Sequence, residues 1–157
     1  MIIIVIFVAI VFIIIKVYSP KIKGSIGEAK VNTRLNFLGK EYIVLKDILI
    51  SSSNGYTSQI DELVLSEYGI FVIETKNYAG SIYGKENSNE WYQYLNNKKF
   101  NFKNPIFQNY AHKKIVSKIL KDEINVIPIV VFTTRCKLKV ENGNNIVLYT
   151  SNQIIVE

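Results

Sequence analysis

Residues 59–78, QIDELVLSEYGIFVIETKNY, carry two apolar runs around a turn, and they constrain the chain more than any other stretch. With Ser66-Glu67-Tyr68-Gly69 as the connection, Leu65 faces Ile70, Leu63 faces Val72, and Asp61 falls opposite Glu74. Side chains alternate along a strand, so Leu63, Leu65, Ile70 and Val72 share a face with Asp61, Glu74 and Lys76. Ile60, Val64, Phe71 and Ile73 make the reverse face apolar as well. A hairpin apolar on both faces belongs in the middle of a sheet covered on both sides, which points to an α/β fold. Two carboxylates facing each other destabilise a sheet unless one is protonated or a cation lies between them. With an ammonium beside them they suit a hard divalent cation such as Mg2+, which prefers oxygen ligands. An ordinary ion pair at an exposed strand end is the competing explanation.

The 157 residues suit one domain, and 48% hydrophobic with 20% charged residues is a composition that folds. A net charge of +6 favours polyanions, nucleic acid or anionic lipid, without choosing between them. The single cysteine, Cys136, forms no intrachain disulfide, and the single histidine, His112, builds no histidine-rich zinc site. A reducing compartment and an oxygen-ligated metal are the expectations that follow.

The chain opens with MIIIVIFVAIVFIII, and with Lys16, Val17 and Tyr18 this makes about 27 Å of helix, nearly a bilayer core. Residues 1–18 therefore read as a single-pass transmembrane anchor in the cell membrane. Lys16, Lys21 and Lys23 follow the run and place the C-terminal domain in the cytoplasm. A linker, SPKIKG at 19–24, separates the anchor from a helix that Ser25 caps and Gly39 ends. Glu28, Val31, Leu35 and Leu38 form one stripe of that helix, with a carboxylate at its head. Ser25-x-x-Glu28 also fits a capping box, so Glu28 has a structural reading beside a functional one.

YIVLKDILI (42–50) is a strand, and YAGSIYG and EWYQYL are short strands further on. NNKKFNFKN interleaves Lys98, Lys99 and Lys103 with Phe100 and Phe102, a pattern shared by nucleic-acid-binding surfaces and by amphipathic edge hairpins. A helix follows from Pro105 to about Lys121, capped by Asn104, with Gln108, Ala111, Ile115 and Ile119 on one face. His112 lies beside that face and reads as structural, and Lys113 and Lys114 cover another side as phosphate contacts or a solvated face. VIPIVVFT (126–133), KLKV and IVLYT (146–150) are further strands, and SNQIIVE starts a short helix. Neither an internal repeat nor a glycine-rich phosphate loop is present.

GSIGEAKVNTRL, QIDELVLSEYGIFVIETKNYAGSIYG and NPIFQNYAHKKIV together resemble the nuclease-related domain, NERD, a branch of the PD-(D/E)XK nuclease superfamily; the likeness covers residues 24 to about 120. It implies a restriction-endonuclease-like αβββαβ core over residues 25–157, a mixed central sheet flanked by helices. It also implies that Asp61, Glu74 and the Thr75 carbonyl bind Mg2+ or Mn2+, that Lys76 positions the attacking water, and that Glu28 and Gln108 complete the catalytic set. Lys98, Lys99, Lys103, Lys113 and Lys114 are the candidate nucleic-acid contacts. Ile60 stands where the superfamily commonly has proline. The implied activity is metal-dependent hydrolysis of DNA, ahead of RNA, and the alternative is a non-catalytic module that keeps the fold and binds nucleic acid or protein at the membrane.

Overall fold

A computed structural model describes residues 2–51, 55, 57–133, 135–141, 146–149 and 154–156, with side chains outside 2–5, 15–23, 146–149 and 154–156. Helix α1 (Ile2–Leu35) is followed by β1 (Ile43–Ser51), β2 (Thr57–Ser66) and β3 (Gly69–Lys76). An excursion of three strands, β4 (Gly80–Lys85), β5 (Glu90–Leu95) and β6 (Lys98–Lys103), leads to α2 (Pro105–Ile119). Then come β7 (Val126–Thr133), β8 (Cys136–Glu141), β9 (Ile146–Tyr149) and β10 (Ile154–Val156). With the excursion set aside, the order α1-β1-β2-β3-α2-β7 is the αβββαβ sequence of elements expected. Ile154–Val156 pairs antiparallel with β9, so the expected C-terminal helix is a strand there.

Two mixed sheets form, in the orders β1-β2-β3-β7-β9-β10 and β6-β5-β4-β8. The β2–β3 hairpin has the register read from the sequence, Leu63 opposite Val72 and Leu65 opposite Ile70, closing at Ser66 opposite Gly69. Gly69 has φ of 130°, and a Cβ there would lie 2.5 Å from the Asn125 carbonyl oxygen, so this turn needs glycine. β3 then runs parallel to β7 along its length, with α2 as part of the connection.

The two apolar faces of the hairpin are covered as expected, with one correction. Val64, Phe71 and Ile73 pack with Val31 and Leu35 of α1, whereas Leu63, Leu65, Ile70 and Val72 pack with Val116 and Leu120 beyond or on α2. Ile60 was expected with Val64 but belongs to the α2 cluster. The cause lies in β1: Asp47 takes a left-handed φ of 50°, and the ladder runs from Lys46 opposite Glu62 to Ile48 opposite Ile60 across that kink. Val44 and Val64 thus meet α1, while Ile48 and Ile60 meet the other side. Asp61 sits at the turnover.

α1 departs from the expected division. Its backbone is helical through 19–24, so the linker is part of the helix, and Ser25 lies inside it instead of capping it. Pro20 and Gly24 cost a helix interior about 3 and 1 kcal/mol, which is not enough to forbid it. The helix also ends before Gly39, because Phe37 N–H and Leu38 N–H close tight bonds on the Arg34 and Leu35 carbonyls, 3.0 and 3.1 Å. Among the described residues no helix is long and apolar enough to cross a membrane. Of the expected anchor 1–18, the side chains of residues 6–14 are described, and Phe7 and Phe12 among them are 65% and 68% exposed.

α2 begins as expected: Asn104 Oδ1 accepts the Ile106 N–H at 2.9 Å, and Pro105 occupies the first turn. Its buried face is not the expected one. Pro105, Asn109, His112 and Val116 are buried, whereas Ala111 and Ile119 are exposed. Two polar side chains, Asn109 and His112, are buried on this face. Asn109 Nδ2 donates to the Val72 and Ile129 carbonyls at 3.0 and 2.9 Å, bridging β3 and β7 next to Pro128, which has no N–H to offer. Asn109→Ala removes the donor from two carbonyls between β3 and β7, and we expect the unfolding free energy in urea to fall by about 2–4 kcal/mol. A change within error would show that these carbonyls do not depend on α2.

Candidate active site

The C-terminal end of β3 carries Glu74-Thr75-Lys76, and each of the three reaches a different partner. Glu74 is 3% exposed. Its Oε1 accepts from Lys76 Nζ at 2.6 Å and from Gln108 Nε2 at 2.8 Å, and Lys76 Nζ also donates to Gln108 Oε1 at 3.1 Å. A strand and a helix far apart in sequence thus close a three-membered ring of carboxylate, ammonium and amide. The other oxygen, Oε2, lies 3.3 Å from His112 Nε2, while His112 Nδ1 is 2.9 Å from the Ser58 hydroxyl. Burial on its own pushes Glu74 up, but the His112 ring and the Lys76 ammonium outweigh it and hold this carboxyl below its usual 4.5.

Thr75 secures both acids of β2. Its N–H donates to Asp61 Oδ2 at 2.9 Å and its hydroxyl to Glu62 Oε2 at 3.3 Å. Asp61 therefore meets β3 through its side chain, and regular ladder pairing stops at Glu62 opposite Ile73. Burial, then the neighbouring Glu74 charge, raise Asp61 to about 6 against the pull of the Thr75 N–H. Burial and Asp61 raise Glu62 to about 8. Glu28, from α1, is raised by partial burial and by Asp47 and Glu74. The helix comes this close because residue 27 is glycine: a Cβ there would lie 2.5 Å from Asn77 Cβ.

Glu28, Asp61, Glu74, Thr75 and Lys76 line one cleft of about 560 Å³, whose far wall includes Gln93, Leu95 and Arg135 from around the second sheet. Of the expected residues, Gln108 joins through its bonds to Glu74 and Lys76. Lys98, Lys99, Lys103, Lys113 and Lys114 do not line it: the first three are on β6, and the last two are on α2, with ammoniums 5.9 and 4.9 Å from the Tyr110 ring centre. Among the described residues no group of three or more His, Cys, Asp and Glu side chains is set for a metal. Asp61, Glu74 and the Thr75 carbonyl are oxygen donors, the type that a hard cation such as Mg2+ or Mn2+ takes.

Two members of the site escaped the sequence reading. His112 is four residues after Gln108, one helical turn along the same side, and that spacing was its signal. Glu62 stands between Ile60 and Val64 in a strand expected to be covered on both faces, so its burial was implied as well.

The profile of the nuclease-related domain matches residues 23–133, and the chain belongs to that family. A Bacillus anthracis protein described only as uncharacterised is 40% identical over 127 residues, which make up 80% of this chain and 60% of that protein. The chain thus spans under two thirds of that relative's length.

The buried acids bear on stability. Glu62 holds its proton more tightly folded than unfolded, so it stabilises the fold fully below pH 4.5, and this contribution is lost as pH rises from 4.5 to about 8. In EDTA, the melting temperature of Glu62→Gln should fall less between pH 5 and 8 than that of the parent. Parallel curves would mean that Glu62 is ionised in the folded protein.

Proposed function

We propose that this domain hydrolyses phosphodiester bonds, in DNA ahead of RNA, with Mg2+ or Mn2+ held by Asp61, Glu74 and the Thr75 carbonyl. The observation that carries the reading is the convergence of Asp61 from the middle of β2, Glu74 and Lys76 from the end of β3 and Gln108 from the start of α2. The acid, then the acid-x-Lys at the end of the next strand, is the arrangement of the PD-(D/E)XK superfamily. When bound, such a metal polarises the phosphate and lowers the pKa of a water near it. The chain does the rest. Lys76, held between Glu74 Oε1 and Gln108 Oε1, directs an N–H toward an attacking water or a phosphate oxygen. Gln108 keeps that ammonium from collapsing wholly onto Glu74. Thr75 N–H sets the Asp61 carboxylate, and Glu28 brings a further acceptor to the cleft from α1.

The protein is also proposed to sit in the cell membrane by residues 1–18, with its domain in the cytoplasm. Support comes from the uncharged first fifteen residues and the lysines at 16, 21 and 23. Deleting residues 1–15 should move the protein from the membrane to the soluble fraction; retention in the membrane would defeat this part of the reading.

Full-length protein in detergent, given supercoiled, linear and single-stranded DNA and RNA, should cleave with Mg2+ or Mn2+ and stop in EDTA. Asp61→Asn and Lys76→Ala should each lower the rate by at least about 100-fold. Binding without cleavage by the folded parent on every substrate would leave a non-catalytic nucleic-acid module in place of the hydrolase.

A further inference from the structure

The second sheet has one face in the core and one outside. Ile82, Trp91, Phe102, Leu138 and Val140 cluster with Val130 and Phe132 of the first sheet. The alternate residues carry a different chemistry: Tyr83 on β4, Tyr92 and Tyr94 on β5, Lys99 on β6, and Lys137 and Lys139 on β8. They fall in two neighbouring rows across the strands, Lys139, Tyr83 and Tyr92 in one and Lys137, Tyr94 and Lys99 in the other. Tyr83 and Tyr92 are paired in the ladder and their rings stack, 5.0 Å between centres and 8° between planes. The Lys99 ammonium lies 4.2 Å from the Tyr92 ring centre, and that of Lys139 lies 5.0 Å from the Tyr83 centre while donating to its hydroxyl at 3.1 Å. An aromatic pair is thus capped by a cation at each end. Tyr94 stands edge-on to both rings, at 76° and 72°, and is 47% exposed.

We propose that this face is a binding platform for single-stranded nucleic acid, in which Tyr94 stacks on a base while Lys99, Lys137 and Lys139 meet phosphates. The proposal rests on the nucleic-acid reading above and names the form of substrate. Charge supports it: Glu141 is paired with Lys85 at 2.9 Å, and Glu90, which keeps its charge while accepting from the Asn101 amide at 3.3 Å, is outnumbered by Lys99, Lys137 and Lys139. Gln93 and Leu95 of β5 line the cleft from the opposite face, so the platform is a surface separate from the acids and its binding is tested apart from cleavage. A duplex keeps its bases stacked inside and offers Tyr94 no ring face, whereas a single strand does. A lipid surface would supply phosphates too, and tyrosine suits the headgroup level, but this face carries no aliphatic side chain to enter the acyl region.

Fluorescein-labelled oligothymidylate of 20 nucleotides, titrated with full-length protein in detergent and EDTA, tests binding apart from cleavage. Tyr94→Ala should bind about 5- to 100-fold more weakly, the loss of one base stack. Lys99→Gln with Lys139→Gln, which spares the rings, should weaken binding and flatten its salt dependence by about 1 unit of log–log slope. Tyr68→Ala, at the β2–β3 turn, should bind as the parent does. Equal binding by the parent, Tyr94→Ala and the double lysine variant would overturn the platform whatever the cleavage result. So would loss of phosphatidylserine-vesicle binding in the double variant with oligothymidylate binding intact. A parent that never cleaves with Mg2+, yet binds in a Tyr94-dependent way, would sink the hydrolase reading alone.

Discussion

A carboxylate buried on a central strand is the constraint around which the domain is arranged. Glu74 could be ionised at 3% exposure only with several donors at hand, since an uncompensated charge in that position costs several kcal/mol. Lys76, Gln108 and His112 surround it, and two of the three come from α2. The packing of α2 therefore follows from electrostatics as much as from apolar burial. Asn109 and His112 take interior positions that the apolar pattern assigned elsewhere, and Ala111 and Ile119 turn outward.

The acids of β2 are held by a different device. A left-handed residue in β1, Asp47, turns the ladder over beside Asp61, and Thr75 then engages Asp61 with its N–H and Glu62 with its hydroxyl. One residue of β3 sets two carboxyl groups whose protons are held unusually tightly, one at the cleft and one behind it. Gly27 lets α1 approach Asn77, so Glu28 reaches the same cleft. Because Ser25 is inside α1, the capping-box explanation of Glu28 falls away.

The three-stranded excursion between β3 and α2 gives the domain its second sheet. Asn96 and Asn97 take φ of 50° and 60°, the pair of left-handed residues that a tight two-residue hairpin requires, and β5 and β6 fold back on each other there. Asn104 ties the excursion to α2: its Nδ2 donates to the Glu86 and Ser88 carbonyls at 2.8 and 2.7 Å while its Oδ1 caps the helix. One buried side chain thus fixes the turn between β4 and β5 against the start of α2.

The sequence alone determined the α/β class, the order of elements up to β9 and the hairpin register from Glu62 to Ser66. Its family resemblance pointed to Glu28, Asp61, Glu74 and Lys76, which line one cleft, and to Gln108, which bonds to two of them. Each of these depends on local information: turn chemistry, period-two alternation, a cap, or a short motif. Tertiary structure decided which way α2 rotates, where β1 and β2 exchange faces, and that His112 and Glu62 belong to the site. Those outcomes come from hydrogen bonds between groups dozens of residues apart, such as Asn109 to the carbonyls of Val72 and Ile129. It also decided that Tyr83, Tyr92, Lys99 and Lys139 share one face of the second sheet, because strand order in a sheet is set by pairing across the chain and not by position along it.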